Sequence, residues 1–183
     1  MIVGIAGTDG SGKGTVVDYL VEKYGFVHYS SRAIILEHIH KADLPDTRAQ
    51  MRLTANELRA TYGNDFLVTQ ALDRMQGGSI EKAIIESIRA TAEALTLKSN
   101  DGILLAVDAN QSLRYERVQT RRSETDRVSF EQFVAHEELE KNDPDPHGMQ
   151  KGKVIEMADY TIMNDGTIEE LHKAVDEFIQ KFL

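Results

Sequence analysis

Apolar and polar positions change period repeatedly along the chain, and each change marks an element. Ile2-Val3-Gly4-Ile5-Ala6 is an unbroken apolar run ending in glycine, the pattern of a parallel strand buried on both faces. Over residues 13–24 the period becomes helical: Val16, Val17, Leu20 and Val21 recur at helical spacing, and Gly25 is placed to cap the end. Residues 26–29 read as a brief second strand, and 31–40 as a helix with Ile34, Ile35 and Ile39 on one side. After Leu44-Pro45, helical stretches over 47–62 and 65–75 meet at Gly63. Residues 82–86 are strand-like, and 87–98 return to helix. The clearest strand is 102–107, followed by a helix over 111–122. Ser129 with Gln132 makes a capping box for a helix running to Lys141, and 142–148 carries two prolines and reads as loop. Residues 160–163 form the last strand. Thr167 with Glu170 then caps a final amphipathic helix that buries Leu171, Val175, Phe178 and Ile179.

Strands alternating with helices in this way predict an α/β fold: a three-layer, five-stranded parallel sheet covered on both faces. At 183 residues, with no repeat and no linker, the chain predicts a single domain over 1–183. No apolar stretch approaches the roughly 20 residues of a membrane helix. The apolar start is too short for a signal peptide and runs straight into a glycine loop, so a cytoplasmic protein with no membrane partner is expected. The absence of cysteine excludes disulfides, a thiol nucleophile and thiolate-bound metals. A net charge of −9 repels a nucleic-acid backbone, so no nucleic-acid partner is expected. The oligomeric state stays open.

The glycine loop carries the chemistry. Gly7-Thr8-Asp9-Gly10-Ser11-Gly12-Lys13 matches G-x-x-x-x-G-K between a predicted strand and a predicted helix. Glycines let consecutive N–H groups curl inward at phosphate oxygens. The helix N-terminus adds a favourable field, and Lys13 brings a full positive charge to the β- and γ-phosphates. Gly14 follows Lys13 where many such loops place a hydroxyl for Mg²⁺, so the nearest hydroxyl is that of Thr15. Against the acidic background, Arg114, Arg117, Arg121, Arg122 and Arg127 cluster after the clearest strand. Arg117 and Arg121 share a helix face, as suits guanidiniums that neutralise a migrating phosphoryl group. A solvated face paired with Glu116, Glu124 and Asp126 is the alternative, and Arg114 leans to a structural role. His38 and His40 point to different helix faces and lack a third ligand, so no metal pair is expected.

Gly-Lys-Gly-Thr over 12–15, with Glu116-Arg117-Val118-Gln119-Thr120-Arg121-Arg122, resembles adenylate-kinase-like nucleotide kinases. The stretch from Arg117 to Phe133 and then Ile155 to Tyr160 is similar to dephospho-CoA-kinase-like enzymes. The resemblance covers essentially the whole chain and implies an ATP-dependent phosphotransferase using Mg²⁺. It implies a core over about 1–30, 80–113 and 150–183, an acceptor-binding insert over about 31–79 and a lid over about 114–149. The cradle would be Gly7, Asp9, Gly10, Ser11, Gly12, Lys13, Gly14 and Thr15, with Asn164 and Gly166 against the adenine. Lys13, Arg117, Arg121 and Glu86 would be catalytic. Thr15 and Glu86 stand on the metal side, and Arg32, Arg59 and Arg89 would hold the acceptor.

The sequence departs from that family at Glu86-Ser87, where Asp-Gly is usual. Asp9 within the loop resembles thymidylate kinases, without their accompanying arginine motif. Dephospho-CoA kinases usually carry an aspartate after the second strand, where this chain has Tyr29-Ser30-Ser31. The expected acceptor is therefore a small nucleotide, a nucleoside or deoxynucleoside monophosphate. Dephospho-CoA-kinase-like activity is one alternative. A nucleotide-binding regulator or slow ATPase is another.

Overall fold

The computed structural model describes residues 1–78, 80–120 and 128–182, and its elements follow the predicted alternation. They are β1 (Ile2–Gly7), α1 (Lys13–Tyr24), β2 (Val27–Ser30), α2 (Ser31–Lys41), α3 (Arg48–Tyr62), α4 (Phe66–Gly78), β3 (Ala83–Glu86), α5 (Thr91–Ser99), β4 (Gly102–Asp108), α6 (Gln111–Thr120), α7 (Phe130–Lys141), α8 (Lys151–Glu156), β5 (Tyr160–Met163) and α9 (Ile168–Phe182). The five strands form one sheet in the order β2-β3-β1-β4-β5, every pair parallel. The fold is thus the three-layer α/β architecture expected.

Side-chain alternation along the strands decides which helices cover which face. Val3 and Ile5 of β1 point with Ile84, Leu105 and Val107 to one side, where α1 and α9 close over them through Leu20, Val175 and Phe178. Ala6 of β1 points the other way with Ala83, Ile85 and Leu104, and there α4, α5 and α8 contribute Leu72, Leu97 and Val154. A smaller apolar cluster joins α2, α3 and α4 through Ile34, Ile39, Leu58 and Leu67. The apolar side of α9 is the one expected: Leu171, Val175, Phe178 and Ile179 are all buried. Among the described residues, no helix is long and apolar enough to cross a membrane.

Two elements differ from expectation. The helix after β3 starts at Thr91 rather than at 87. Ser87 adopts φ 71°, and both its N–H and that of Ile88 donate to the Ile5 carbonyl, so the chain leaves the sheet by a left-handed step before it can coil. Helix α8 was not expected. At six residues including Gly152, it is too short to show a helical period. Because all strands run the same way, the segments that follow them gather at one end of the sheet, the end where open parallel sheets bind ligands.

Candidate functional site

The loop from β1 into α1 is held in shape by its own main chain. Gly10 has φ 79° and Gly12 φ 96°, and a Cβ on either would lie 2.4 Å from the Arg114 carbonyl oxygen or the Asn164 amide nitrogen. Only glycine fits at these two positions. Ser11 is fully buried, and its Oγ donates to the Thr8 carbonyl at 2.9 Å. Thr8 Oγ1 donates to Asp108 Oδ1 at 2.6 Å, which anchors the loop to the end of β4. Lys13 Nζ arches back to the carbonyls of Thr8, at 2.6 Å, and Gly7, at 3.3 Å. Burial pulls the Lys13 ammonium down to about 8. Asp9 opposes that pull, while Lys151 and Arg89 add to it.

Two cavities open beside this loop. The smaller, about 250 Å³, lies between the loop and the start of α9, with Thr15, Arg117, Asn164 and Gly166 on its walls. Asn164 Nδ2 donates to the Ser11 carbonyl at 2.8 Å, and Arg117 Nη1 donates to the Asn164 carbonyl at 2.9 Å. The larger, about 740 Å³, lies between the loop, α2, α3 and α7. Lys13, Asp9, Arg32, Glu86 and Arg89 line it, and so does Ser31, whose buried hydroxyl has no hydrogen-bond partner.

Charge in the larger cavity is arranged by long-range pairs. Asp9 accepts from Lys151 Nζ at 3.0 Å and from Arg48 Nη2 at 2.9 Å. Glu140 accepts from the same two cations, so one closed ring of charges joins the loop, α3, α7 and α8. Burial would raise the Asp9 carboxyl, but Lys151, Lys13, Arg89 and Arg48 together hold it well below the usual carboxylate range. Glu86 accepts from His28 Nε2 at 3.0 Å if that nitrogen carries the proton, and this contact lowers the Glu86 carboxyl. Arg89 donates to Met149 Sδ at 3.4 Å and, among the described residues, has no carboxylate within ion-pair distance.

Comparison with known proteins gives this geometry a family. A model described as an AAA domain matches residues 3–145, more than three-quarters of the chain and all of the phosphate loop. The chain belongs to the AAA domain family. A UPF0200 protein of Methanococcus maripaludis is 27% identical over 185 residues, covering 100% of this chain and 97% of that protein. Among solved structures, TT1252 from Thermus thermophilus superimposes with a TM-score of 0.65 at 21% identity, covering 100% of this chain and 98% of that one. Shikimate kinase from Aquifex aeolicus gives 0.59 at 17% identity, with 99% and 97% covered. The P-loop kinase resemblance read from the sequence is borne out, with shikimate and gluconate kinases among the neighbours in fold.

In the structure the sequence-predicted residues divide. Gly7, Asp9, Gly10, Ser11, Gly12, Lys13, Gly14 and Thr15 lie together in the loop or the first turn of α1, with Asn164 and Gly166 across the smaller cavity. Arg32, Glu86 and Arg89 line the larger cavity. Arg117, expected over a migrating phosphoryl group, lines the smaller cavity and donates to the Asn164 carbonyl. Arg121 lies outside the described residues, as do Arg122 and Arg127. Arg59, expected on an acceptor phosphate, is the clear correction. It is 2% exposed and gives Nε and Nη2 to Glu93 Oε1, at 3.0 and 2.8 Å. Arg114 takes the structural place expected of it, buried and paired with Glu137. Sequence reasoning missed Arg48, Glu140 and Lys151. Their partners lie 11 to 142 positions away, and no local pattern signals such pairs.

Proposed function

We propose that this protein transfers the γ-phosphoryl group of ATP, with Mg²⁺, to the phosphate of a nucleoside or deoxynucleoside monophosphate. The observation that carries this reading is Arg89. Its guanidinium has no carboxylate partner among the described residues, lines the larger cavity, and is close enough to act electrostatically on both Lys13 and Asp9. An anionic acceptor group is thereby drawn to where a donor's terminal phosphate would end.

The residues present fit the donor. Gly10 and Gly12 let the main chain curl tightly against Arg114 and Asn164, and the loop amides with Lys13 suit a polyphosphate. In this reading Asn164 and Gly166 hold the base, Arg117 stays on the donor side, and Thr15 and Glu86 face the metal. Arg32, Arg89 and the Ser31 hydroxyl hold the acceptor, and Arg121 closes from a lid over about 114–149. Residues 31–79 serve as the acceptor insert on the core of 1–30, 80–113 and 150–183. A bond forms from an acceptor phosphate oxygen to the γ-phosphorus as the bridge to ADP breaks. That oxygen is already anionic, so no general base is required.

A hydroxyl acceptor would need a base. Asp9 and Glu86 are carboxylates that act on Lys13 and line the larger cavity, and both are held below their ordinary range by neighbouring donors and cations. That favours the phosphate acceptor over dephospho-CoA, or over hydroxyl substrates such as those in the names of the shikimate and gluconate kinases. The test is ADP formation from Mg-ATP with a panel of nucleoside and deoxynucleoside monophosphates, dephospho-CoA, shikimate and gluconate. Turnover confined to monophosphates is expected. Turnover of a hydroxyl acceptor alone overturns the reading, and ATP hydrolysis indifferent to every acceptor assigns a regulator or slow ATPase.

A further inference from the structure

We infer that the buried Glu93–Arg59 pair is the positioning device for Arg89, and so sets how tightly the acceptor is held. The inference rests on the reading that Arg89 binds the acceptor.

Glu93 has no exposed surface, and Arg59 is among the largest fully buried side chains of the molecule. One carboxylate oxygen of Glu93 receives both Nε and Nη2 of Arg59 from α3. The other receives the main-chain N–H of Arg89 at 2.7 Å and of Ala90 at 3.0 Å. The Arg89 carbonyl in turn accepts from Gln150 N at 2.7 Å, and its guanidinium rests on Met149 Sδ. Arg89 is therefore pinned at its amide, its carbonyl and its side chain.

Such pinning is needed because of what precedes it. The chain leaves β3 through Ser87 at φ 71°, with two successive N–H groups on the Ile5 carbonyl, so the strand itself does not dictate where residue 89 goes. Capping of α5 alone would not call for the pair. Glu93 caps α5 by accepting the Ala90 N–H, but that needs neither the bond to the Arg89 N–H nor the bonds from Arg59. A buried ion pair is a poor choice for stability alone, since well-packed apolar residues commonly serve as well. What the pair adds is a fixed distance. Arg59 shares α3 with Arg48 and Arg52, which line the larger cavity, so one carboxylate indexes that helix to the Arg89 turn. A guanidinium held in place before the ligand arrives loses less freedom on binding.

The test compares two charge-neutral replacements. Arg59→Met/Glu93→Leu removes the pair and the acceptor oxygen for the two N–H groups, whereas Arg59→Met/Glu93→Gln keeps an oxygen there. The apolar double variant is expected to bind ATP within about twofold of the parent and to raise KM for a nucleoside monophosphate about tenfold, with kcat changing less. The glutamine version restores the oxygen but not the tie to α3, so it is expected to recover KM only in part, leaving it about threefold above the parent, a graded split that a purely structural role would not produce. Arg89→Met, measured alongside, is expected to raise KM by about tenfold or more. If Arg89→Met raises KM and the apolar pair does not, or if the leucine and glutamine versions behave alike, the positioning role is wrong and the acceptor reading stands. If Arg89→Met leaves KM unchanged, both fall. Should neither double variant fold, Arg59→Lys keeps the charge but loses the two-pronged contact, and an unchanged KM there overturns the inference.

Discussion

The phosphate loop and the larger cavity, proposed above as donor and acceptor sides, are built by different physics. The loop itself follows from one short stretch of main chain: Gly10 and Gly12 take left-handed φ values, Ser11 is buried beneath them, and Lys13 folds back over the turn. Around the larger cavity no stretch dominates. Its charges come from the loop, α2, α3, the turn after β3, α7 and α8, and they are set by pairs such as Asp9–Lys151 and Asp9–Arg48. The first region is local and repeats a pattern that any polyphosphate imposes. The second is tertiary, so it can change acceptor without disturbing the cradle.

The sharpest break between the two regions would come from removing the donor-side charge. Lys13→Met is expected to lower kcat for phosphoryl transfer about 10⁴-fold, roughly 5 kcal/mol of transition-state stabilisation, while leaving thermal unfolding nearly unchanged. Single-turnover assays with radiolabelled ATP measure it. A loss below about tenfold would remove the loop from the chemistry altogether.

On the acceptor side, two arginines that look equivalent in the sequence should separate. Arg59→Leu leaves Glu93 charged and unpaired in the core and is expected to cost about 3–4 kcal/mol in urea unfolding. Arg32→Leu alters an exposed side chain on the cavity wall and should change stability by no more than about 0.5 kcal/mol. Equal effects from the two would mean that the division between buried strut and cavity ligand is mistaken.

That pair also marks how far the sequence could be read. The five strands, most helices and the whole phosphate loop were legible, because apolar period and glycine chemistry act over a few neighbouring residues. Arg59 was not, because the carboxylate that claims it is 34 positions away. The helix that carries Arg117 is legible too, but its contact with the Asn164 carbonyl, 47 positions away, is not. Helix α8, which delivers Lys151 to Asp9, is too short to announce itself by period.

Ser87 sits on the seam between the regions and gives a finer test. The phosphate loop meets each of its left-handed positions with glycine, whereas β3 ends by forcing φ 71° on a serine. An L-residue there costs about 1–2 kcal/mol, and glycine returns part of that as unfolded-state entropy. Ser87→Gly should therefore stabilise the fold by about 0.5 kcal/mol net. If the turn also needs its strain to aim Arg89, the same variant raises acceptor KM. Denaturant titration and steady-state kinetics on one preparation separate the two effects.

The smallest signal reports the state of Lys13 itself. Burial brings its pKa from 10.5 to about 8, so near pH 8 about half of the free protein carries a neutral amine. The groups acting on it are Asp9 and Glu86, which favour the charged form, and Lys151 and Arg89, which oppose it. A polyphosphate in the cradle adds negative charge and restores the ammonium. ATP binding should therefore take up about half a proton at pH 8, and ATP affinity should fall as pH rises through that value. In the free protein the sign is opposite. The unfolded chain keeps the lysine protonated up to about 10.5 while the fold releases the proton near 8, so this group adds stability as pH rises between those limits. Calorimetry of ATP binding at pH 8 in buffers of different ionisation enthalpy measures the uptake. Its disappearance in Lys13→Met would assign it to the loop, whereas its persistence there would move the titrating group to the charge ring around Asp9.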